Sequence, residues 1–568
     1  MTSRGVWIAA ALAVSVLAPA SAHAQTGGEQ TPLVRVPFPR EDGSLTPYTF
    51  ELGYGLMTLV YDTLMLRDAR GTPRPLLARS VRRRGTEVTV RLRESARWHD
   101  GRRVTADDVA FTFALLERRP HPRFTPEIRD VESVQVVDRS TVVFRLRRAS
   151  LGFVDQPLAD VPILPRHVWS GLAPGRSAPP GLPVGSGPYR LVEHRVGRLY
   201  RFEANRGWHG GRVRVRELRV PIVRTVERAL TALRRRRIDA LPFTPVAADR
   251  AALSDSGLRE LTGPSYTGTV LSFNTASPLF AAVRVRRAVA RALDLDQIVA
   301  ALAPRGGPPA AISAARGYLH PDSGWTAGRL HQFAPGAARV TLAESALPPL
   351  TVIVPESDTL GLEAARQIVR ALNRVGVTAR TQALPLDRVL TALGDTATPG
   401  SFELAVTNAP ALTSKDPAFL RVLFGRSPAG LSRTGYRSAR FDRAANRVDA
   451  AGTTALRRRA VASALEVLER DAPVVPLFFA RSAFPYRASV YDGWRLSRGG
   501  DLLDKWSFIG ERTRSSPADR ALPPALADPI DTLEDSGSGI PTGLLLAGGA
   551  ALLLIVGAAL WRPRRSKR

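Results

Sequence analysis

The apolar positions of this chain follow two periods. Val88, Val90 and Leu92 alternate with Thr89 and Arg91, the spacing of a half-buried strand. Val134 and Val136, then Val142, Phe144 and Leu146, alternate in the same way. Asp138-Arg139-Ser140 between them has turn chemistry, so the pattern predicts a hairpin. Other runs carry the helical period. Val109, Phe113 and Leu116 follow Thr105, and Asp108, three residues after that threonine, completes a capping box. Val285, Ala288, Val289, Ala292 and Leu293 make one stripe. Ala365, Ile368, Val369 and Leu372 make a second, ended by Gly376, and Val461, Ala464, Leu465 and Leu468 make a third, ended before Pro473. Strands and helices are mixed throughout without a short repeat, which predicts an α/β chain.

Two apolar runs at the ends have another meaning. Arg4, the stretch Val6 to Ala18, Pro19 and then Ala22-His23-Ala24 describe a secretory signal peptide over 1–24, with cleavage after Ala24. Thr542 to Trp561 contains no charge, and about 20 residues suffice to cross a hydrocarbon core of about 30 Å as a helix. Arg562, Arg564, Arg565, Lys567 and Arg568 follow, and such a cationic end belongs in the cytoplasm. The expectation is an extracytoplasmic body, a Ser/Pro/Asp-rich linker over 512–541, one C-terminal transmembrane helix over 542–561, and a basic cytoplasmic tail over 562–568. Ile540-Pro541-Thr542-Gly543 is one residue short of the L-P-x-T-G wall-sorting signal, so the helix reads as a permanent membrane anchor.

Composition narrows the chemistry. A chain of 568 residues, 44% of them hydrophobic, has material for two or three lobes. With no cysteine there are no disulfides, no thiol catalysis and no lipid-bearing N-terminal cysteine. The formal net charge is +29, and lysine occurs only at 415, 505 and 567, so arginine carries nearly all of it. The arginines are scattered, and runs such as Arg82-Arg83-Arg84 lack interleaved aromatics. They read as solvated faces tolerant of anionic membrane or polymer, with no nucleic-acid partner expected. His99, Asp100, Asp107 and Asp108 are metal-type residues, but a turn and a helix cap account for them. There is no H-E-x-x-H pair, no G-x-S-x-G elbow and no Walker-type loop. Neither an enzyme nor a cofactor is expected.

Residues 88–116 read VTVRLRESARWHDGRRVTADDVAFTFALL. A strand ending in L-R, an aromatic-His-Asp-Gly turn and T-A-D-D-V opening a helix resemble the signature of the family-5 extracellular solute-binding proteins, the dipeptide, oligopeptide and nickel binders of ABC importers. The resemblance continues in order through Tyr61-Asp62-Thr63-Leu64, Gly185-Ser186-Gly187-Pro188-Tyr189, Asn205 to Trp208, Ile238-Asp239, Leu271 to Asn274, Val285 to Asp294, Asp416 to Leu420 and Asp471 to Pro476.

The resemblance implies a two-lobed periplasmic-binding-protein-like fold of the class II type with an extra subdomain. Lobe I would comprise 32–75, 185–265 and 486–511, the extra subdomain 76–184, and lobe II 266–485. It also implies a peptide or similar extended polar ligand closed between the lobes by a hinge, and an ABC permease as partner. The alternative is a membrane-tethered sensing domain without transport. A carboxylate for the ligand amine belongs just upstream of Asp416-Pro417, in a stretch resembling "g-W-x-x-D". Here residues 405–411 read AVTNAPA, with Asn408 and no acid, which disfavours a free-amine peptide. The ligand-binding candidates are Tyr54, Tyr266, Asn274, Asn408 and Asp416.

Overall fold

The structure is a computed structural model. It describes residues 30–510 with short interruptions, the longer ones at 244–252, 303–311, 395–399, 410–416 and 426–433. The expected signal peptide (1–24), linker (512–541), transmembrane helix (542–561) and basic tail lie outside the described residues. Among those described, no helix is long and apolar enough to cross a membrane.

Three sheets organise the body. The first joins β1 (Thr31–Arg35), β10 (Val215–Pro221), β9 (Leu199–Ala204) and β8 (Tyr189–Arg195) in that order, with β1 parallel to β10 and the rest antiparallel. Between β1 and β8 the chain makes helix α1 (Tyr54–Val60), a short hairpin of β2 (Met65–Arg67) and β3 (Pro73–Pro75), and a separate antiparallel sheet. That sheet has the order β4 (Ala78–Arg84), β5 (Glu87–Leu92), β7 (Thr141–Leu146), β6 (Val131–Asp138). Val81, Val88, Val90, Val142 and Phe144 point to its inner face, where Phe113 of helix α2 (Ala106–Arg118) meets Phe144 with ring centroids 4.8 Å apart. The expected hairpin is β6–β7, closed by Asp138 opposite Thr141. Its outer strand departs from expectation. Val136 is 36% and Val137 59% exposed, because β6 is an edge strand that α2 covers only in part.

The third sheet has the order β12 (Ile312–Ala314), β16 (Val474–Tyr486), β11 (Arg259–Phe273), β15 (Leu404–Ala409), β13 (Leu350–Pro355), β14 (Ala379–Leu384). Its two longest strands do double duty. The first part of β11, Arg259 to Pro264, pairs with Arg481 to Tyr486. The second part, Gly268 to Ser272, pairs with Val474 to Phe479, and a register shift separates the two. The first part sits beside lobe I, where Leu241 N donates to Pro485 O and Arg487 N to Asp239 O. These two antiparallel strands are the crossing between the lobes.

The residues that carry the family resemblance turn out to be fasteners. Asp108 accepts from Thr105 N (2.8 Å), Arg166 N (2.9 Å) and Trp98 Nε1 (3.3 Å), tying cap, turn and following helix together. Gly185 and Gly187 let two backbones touch, since a Cβ on either would lie 2.0 or 2.3 Å from the carbonyl oxygen of Val60 or Leu59. Asp239 takes three hydrogen bonds from Arg35, at 2.8 to 3.0 Å. Arg286 is buried and gives its guanidinium to the carbonyls of Phe280, Ala281, Asp471 and Ala472, binding one helix start to another helix's end.

Candidate functional site

The topology fixes which end of lobe II faces lobe I. β11 enters the lobe from the crossing, and β15 runs against it with Ala409 opposite Gly268. The carboxyl end of β15 is therefore at the crossing. β13 is parallel to β15, so its carboxyl end is there too. In open α/β sheets that edge is where ligands bind.

Three polar side chains meet on this wall. Asn408 of β15 accepts from Thr269 Oγ1 (2.9 Å) and donates through Nδ2 to Asp358 Oδ2 (3.2 Å). Asp358 caps the helix Thr359–Arg374, accepting from Gly361 N at 2.8 Å. A Cβ at 361 would lie 2.4 Å from the Asp358 carboxylate, so glycine is what admits the cap. Burial pushes the Asp358 carboxyl above the ordinary aspartate value, against the lowering by the Gly361 amide and Asn408. This wall thus offers a hydrogen-bonding strip and an acid already committed to a helix amide and an asparagine.

A second polar cluster is built by α1 and the extra subdomain. Tyr54 at the start of α1 donates to Asp160 Oδ1 (2.6 Å), and its ring lies 4.1 Å from the Arg123 guanidinium. Asp160 ends helix α4 (Pro157–Asp160) and receives two bonds from Arg123, at 3.0 and 2.8 Å. Arg67 of β2 reaches the same carboxylate at 3.9 Å and holds Asp155 at 3.3 Å. Burial alone would raise the Asp160 carboxyl, but Arg123 and Arg67 bring it down to about 2. Glu127 of the short helix α3 (Thr125–Ile128) is the opposite case. Burial first, then the Asp160 charge, push it well above the ordinary glutamate range, and its buried Oε2 has no hydrogen-bond partner. Arg67 and Arg123 remain 30% and 34% exposed although their carboxylate partner Asp160 is 3% exposed, as expected of groups lining a recess.

The extra subdomain also touches lobe II. Arg129, next after α3, pairs with Asp449 on the lobe II helix Ala439–Ala450.

Of the five candidates from sequence, Asn408 and Tyr54 stand in these two clusters. Asn274 is at the other end of β11. Its amide donates to Gly400 O and Phe402 O (2.8 Å each) and accepts from Ala276 N, so the structure does not bring it together with Asn408. Tyr266 lies in β11 between the two register blocks, and its side chain is not among those described; Asp416 also lies outside the described residues. Sequence reasoning missed Asp358, Arg67, Arg123, Glu127 and Asp160. Only Asp358 had a signal, an Asp-x-x-Gly start three residues from an apolar stripe. The other four come from three separated segments with no motif. Among the described residues, no group of three or more His, Asp or Glu is placed to hold a metal ion.

Known proteins share this architecture. The oligopeptide-binding protein AppA of Bacillus subtilis, solved in complex with a nonapeptide, superposes with a TM-score of 0.72 at 18% identity, covering 84% of this chain and 99% of that one. NikZ of Campylobacter jejuni, solved with Ni(L-His), gives a TM-score of 0.73 at 20% identity over 84% and 99%. The described body therefore corresponds to a complete solved chain. A putative ABC transporter peptide-binding protein of Brucella ovis is 30% identical over 214 residues, so this chain spans about 40% of the length of that curated relative. Residues 72–430 match the middle region of the bacterial extracellular solute-binding proteins, family 5, and the chain belongs to that family.

Proposed function

We propose that the chain is the extracytoplasmic solute-binding component of an ABC importer. It captures an extended polar solute between two lobes and passes it to a permease whose ATPase subunits lie on other chains. The single observation that carries this reading is a pair of polar clusters, Asn408–Asp358 and Tyr54–Arg123–Asp160, on parts of the fold joined, among the described residues, by the long strands β11 and β16. Such a crossing bends as a hinge while the lobes stay rigid. AppA with its nonapeptide and NikZ with Ni(L-His) support a ligand of the peptide or amino-acid-chelate kind.

The lobe II wall narrows the ligand further. Residues 405–411 contain no acid, and Asp358 beside them is spent on a helix amide and Asn408. Among the described residues of the lobe II wall a bare ammonium meets no uncommitted acid, so the preferred ligand is neutral at that end: a blocked peptide, or a peptide-like or sugar-bearing solute. The leader-like sequence over 1–24 and the apolar run over 542–561 support a body outside the cell, tethered at its C-terminal end.

A thermal-shift panel tests this. The body over 30–510 is heated with matched peptides carrying free or N-acetylated termini. Acetylated peptides should raise the melting temperature at least as much as free ones, and a stabilisation confined to free-amine peptides contradicts the ligand assignment.

A further inference from the structure

The outer face of the subdomain sheet is built of exposed arginines. Outward positions alternate with the buried Val81, Val88, Val90, Val142 and Phe144. By register, Arg82 stands beside Thr89 and Val143, Arg84 beside Glu87 and Arg145, and Arg91 beside Thr141. Arg82, Arg84, Arg91 and Arg145 are all exposed. Among the described residues none of the four makes an ion pair, although the rows hold two acids, Glu87 beside Arg84 and Arg145, and Asp138 beside Thr141.

An arginine-rich composition alone does not account for this face. The lobe I sheet is built from the same kind of chain, yet Arg35, Arg195, Arg201 and Arg219 on its strands are paired, with Arg190 and Arg216 left over. There Glu193 pairs with Arg195 and Arg201, Arg201 also with Glu203 (2.8 Å), and Glu217 with Arg219. One sheet pairs most of its arginines with carboxylates, and the other leaves Arg82, Arg84, Arg91 and Arg145 without an ion pair among the described residues. Charge left unpaired on an open, flat face suits an anionic partner. Moreover, the face has no aromatic side chain of the kind that centres protein interfaces, and its exposed aliphatic, Val137, lies on the edge strand β6. Its side chains are arginine, serine, threonine and glutamine, with the acids Glu87 and Asp138, the half-buried Val143 and the exposed Val137.

We propose that this face, centred on Arg82, Arg84, Arg91 and Arg145, docks on an anionic phospholipid bilayer. Basic side chains near such a surface are attracted without specific contacts, and the attraction falls off within a Debye length, about 10 Å at 0.1 M salt. Docking would lay the extra subdomain against the membrane, so the lobe II side stays free to swing. The proposal does not depend on what the cleft binds.

The test is co-sedimentation of the body over 30–510 with vesicles of phosphatidylcholine alone, or with a quarter phosphatidylglycerol. Binding should appear only with the anionic lipid and vanish by about 0.3 M salt. The variant R82Q/R84Q/R91Q/R145Q should bind roughly tenfold or more weakly. A control of equal charge, R440Q/R443Q/R458Q/R459Q on exposed lobe II helix positions, should keep most of the binding. The milder R84Q/R145Q should fall between, and melting curves check that each variant is folded. Equal loss in face and control variants would reduce the effect to net charge and overturn the proposal. Absence of binding to anionic vesicles would overturn it as well, as would a face variant that loses only association with the permease. Unchanged solute retention in the face variant would leave the transport reading standing in every case.

Discussion

Arg129 and Asp449 form an ion pair between the extra subdomain and lobe II. The Asp449 side chain is 6% exposed, and Arg421 of lobe II also lies 3.0 Å from the same carboxylate oxygen. On the other side Arg129 has Asp130 at 3.8 Å, which Arg148 holds at 3.0 Å. Each charge thus keeps a partner in its own domain when the cleft opens, so the crossing pair can break without stranding a charge.

Two substitutions should act in opposite directions. Arg129→Gln removes the crossing pair and should shift the closed/open ratio toward open by about tenfold, for a charge-assisted bond worth about 1.5 kcal/mol. Arg421→Gln leaves Asp449 dependent on Arg129 and should favour closure. The chain has no cysteine, so dyes at Val137→Cys and Leu456→Cys, both exposed, report the lobe separation by single-molecule energy transfer. Shifts of the same sign in both variants would contradict a closing role for the pair.

Lys505 and Asp62 set the stability of lobe I. Lys505 Nζ pairs with Asp62 inside the protein, and the second carboxylate oxygen accepts from Trp208 Nε1 (2.9 Å) and His209 Nε2 (2.8 Å). Burial would raise the Asp62 carboxyl, but Lys505 and His209 hold it at about 2. Lys505→Met strands a buried charge and should cost about 3–5 kcal/mol in denaturant melts. Asp62→Asn combined with it should recover part of that loss. With the folded value depressed, the Asp62 contribution is present above pH about 4 and is lost as pH falls toward 2.

His99 and His121 destabilise the protein in mild acid. Burial is the main cause that pushes both down to about 4. In the fold His99 Nδ1 accepts from Gly185 N (3.2 Å), so Nε2 carries the proton toward Gly187 O (3.1 Å). Between pH 6.5 and 4 the unfolded chain takes up protons that the folded chain refuses, so stability falls through that window, by on the order of 3 kcal/mol per histidine. His99→Gln should flatten part of that slope in urea melts at stepped pH. An unchanged slope would mean His99 titrates normally.

Glu127→Gln probes the subdomain wall. The folded carboxyl is raised by burial and by Asp160, so its stability contribution is full below the unfolded value and is lost as pH rises. Glutamine copies the protonated acid without that loss. The variant should melt higher than the parent at pH 8 and alike near pH 4, whereas a lower melting temperature at pH 8 would show that the ionised form is the one the wall holds.

The sequence reveals the frame better than the site. Trp98, Asp108, Gly185, Gly187, Asp239 and Arg286 are readable as motif because each fastens backbone that every chain of this shape must fasten. Asn274 belongs with them: its place after an apolar strand suggests a cleft residue, but its side chain is spent on the backbone of Gly400, Phe402 and Ala276. The wall residues Arg67, Arg123, Glu127 and Asp160 are separated by up to 93 positions and meet only through the packing of β2, α3 and α4. No local pattern encodes that meeting. The missing acid near Asn408 was legible, but Asp358 beside it was not, since the parallel pairing of β13 with β15 is what places them together.

Native mass spectrometry of the body purified from its own envelope tests the central claim most directly. A solute-binding protein with a closing cleft should carry a discrete noncovalent mass, or a ladder spaced by amino-acid residues, that is released on unfolding. A bare polypeptide mass, with no thermal shift against peptide and sugar pools, would contradict solute capture between the lobes.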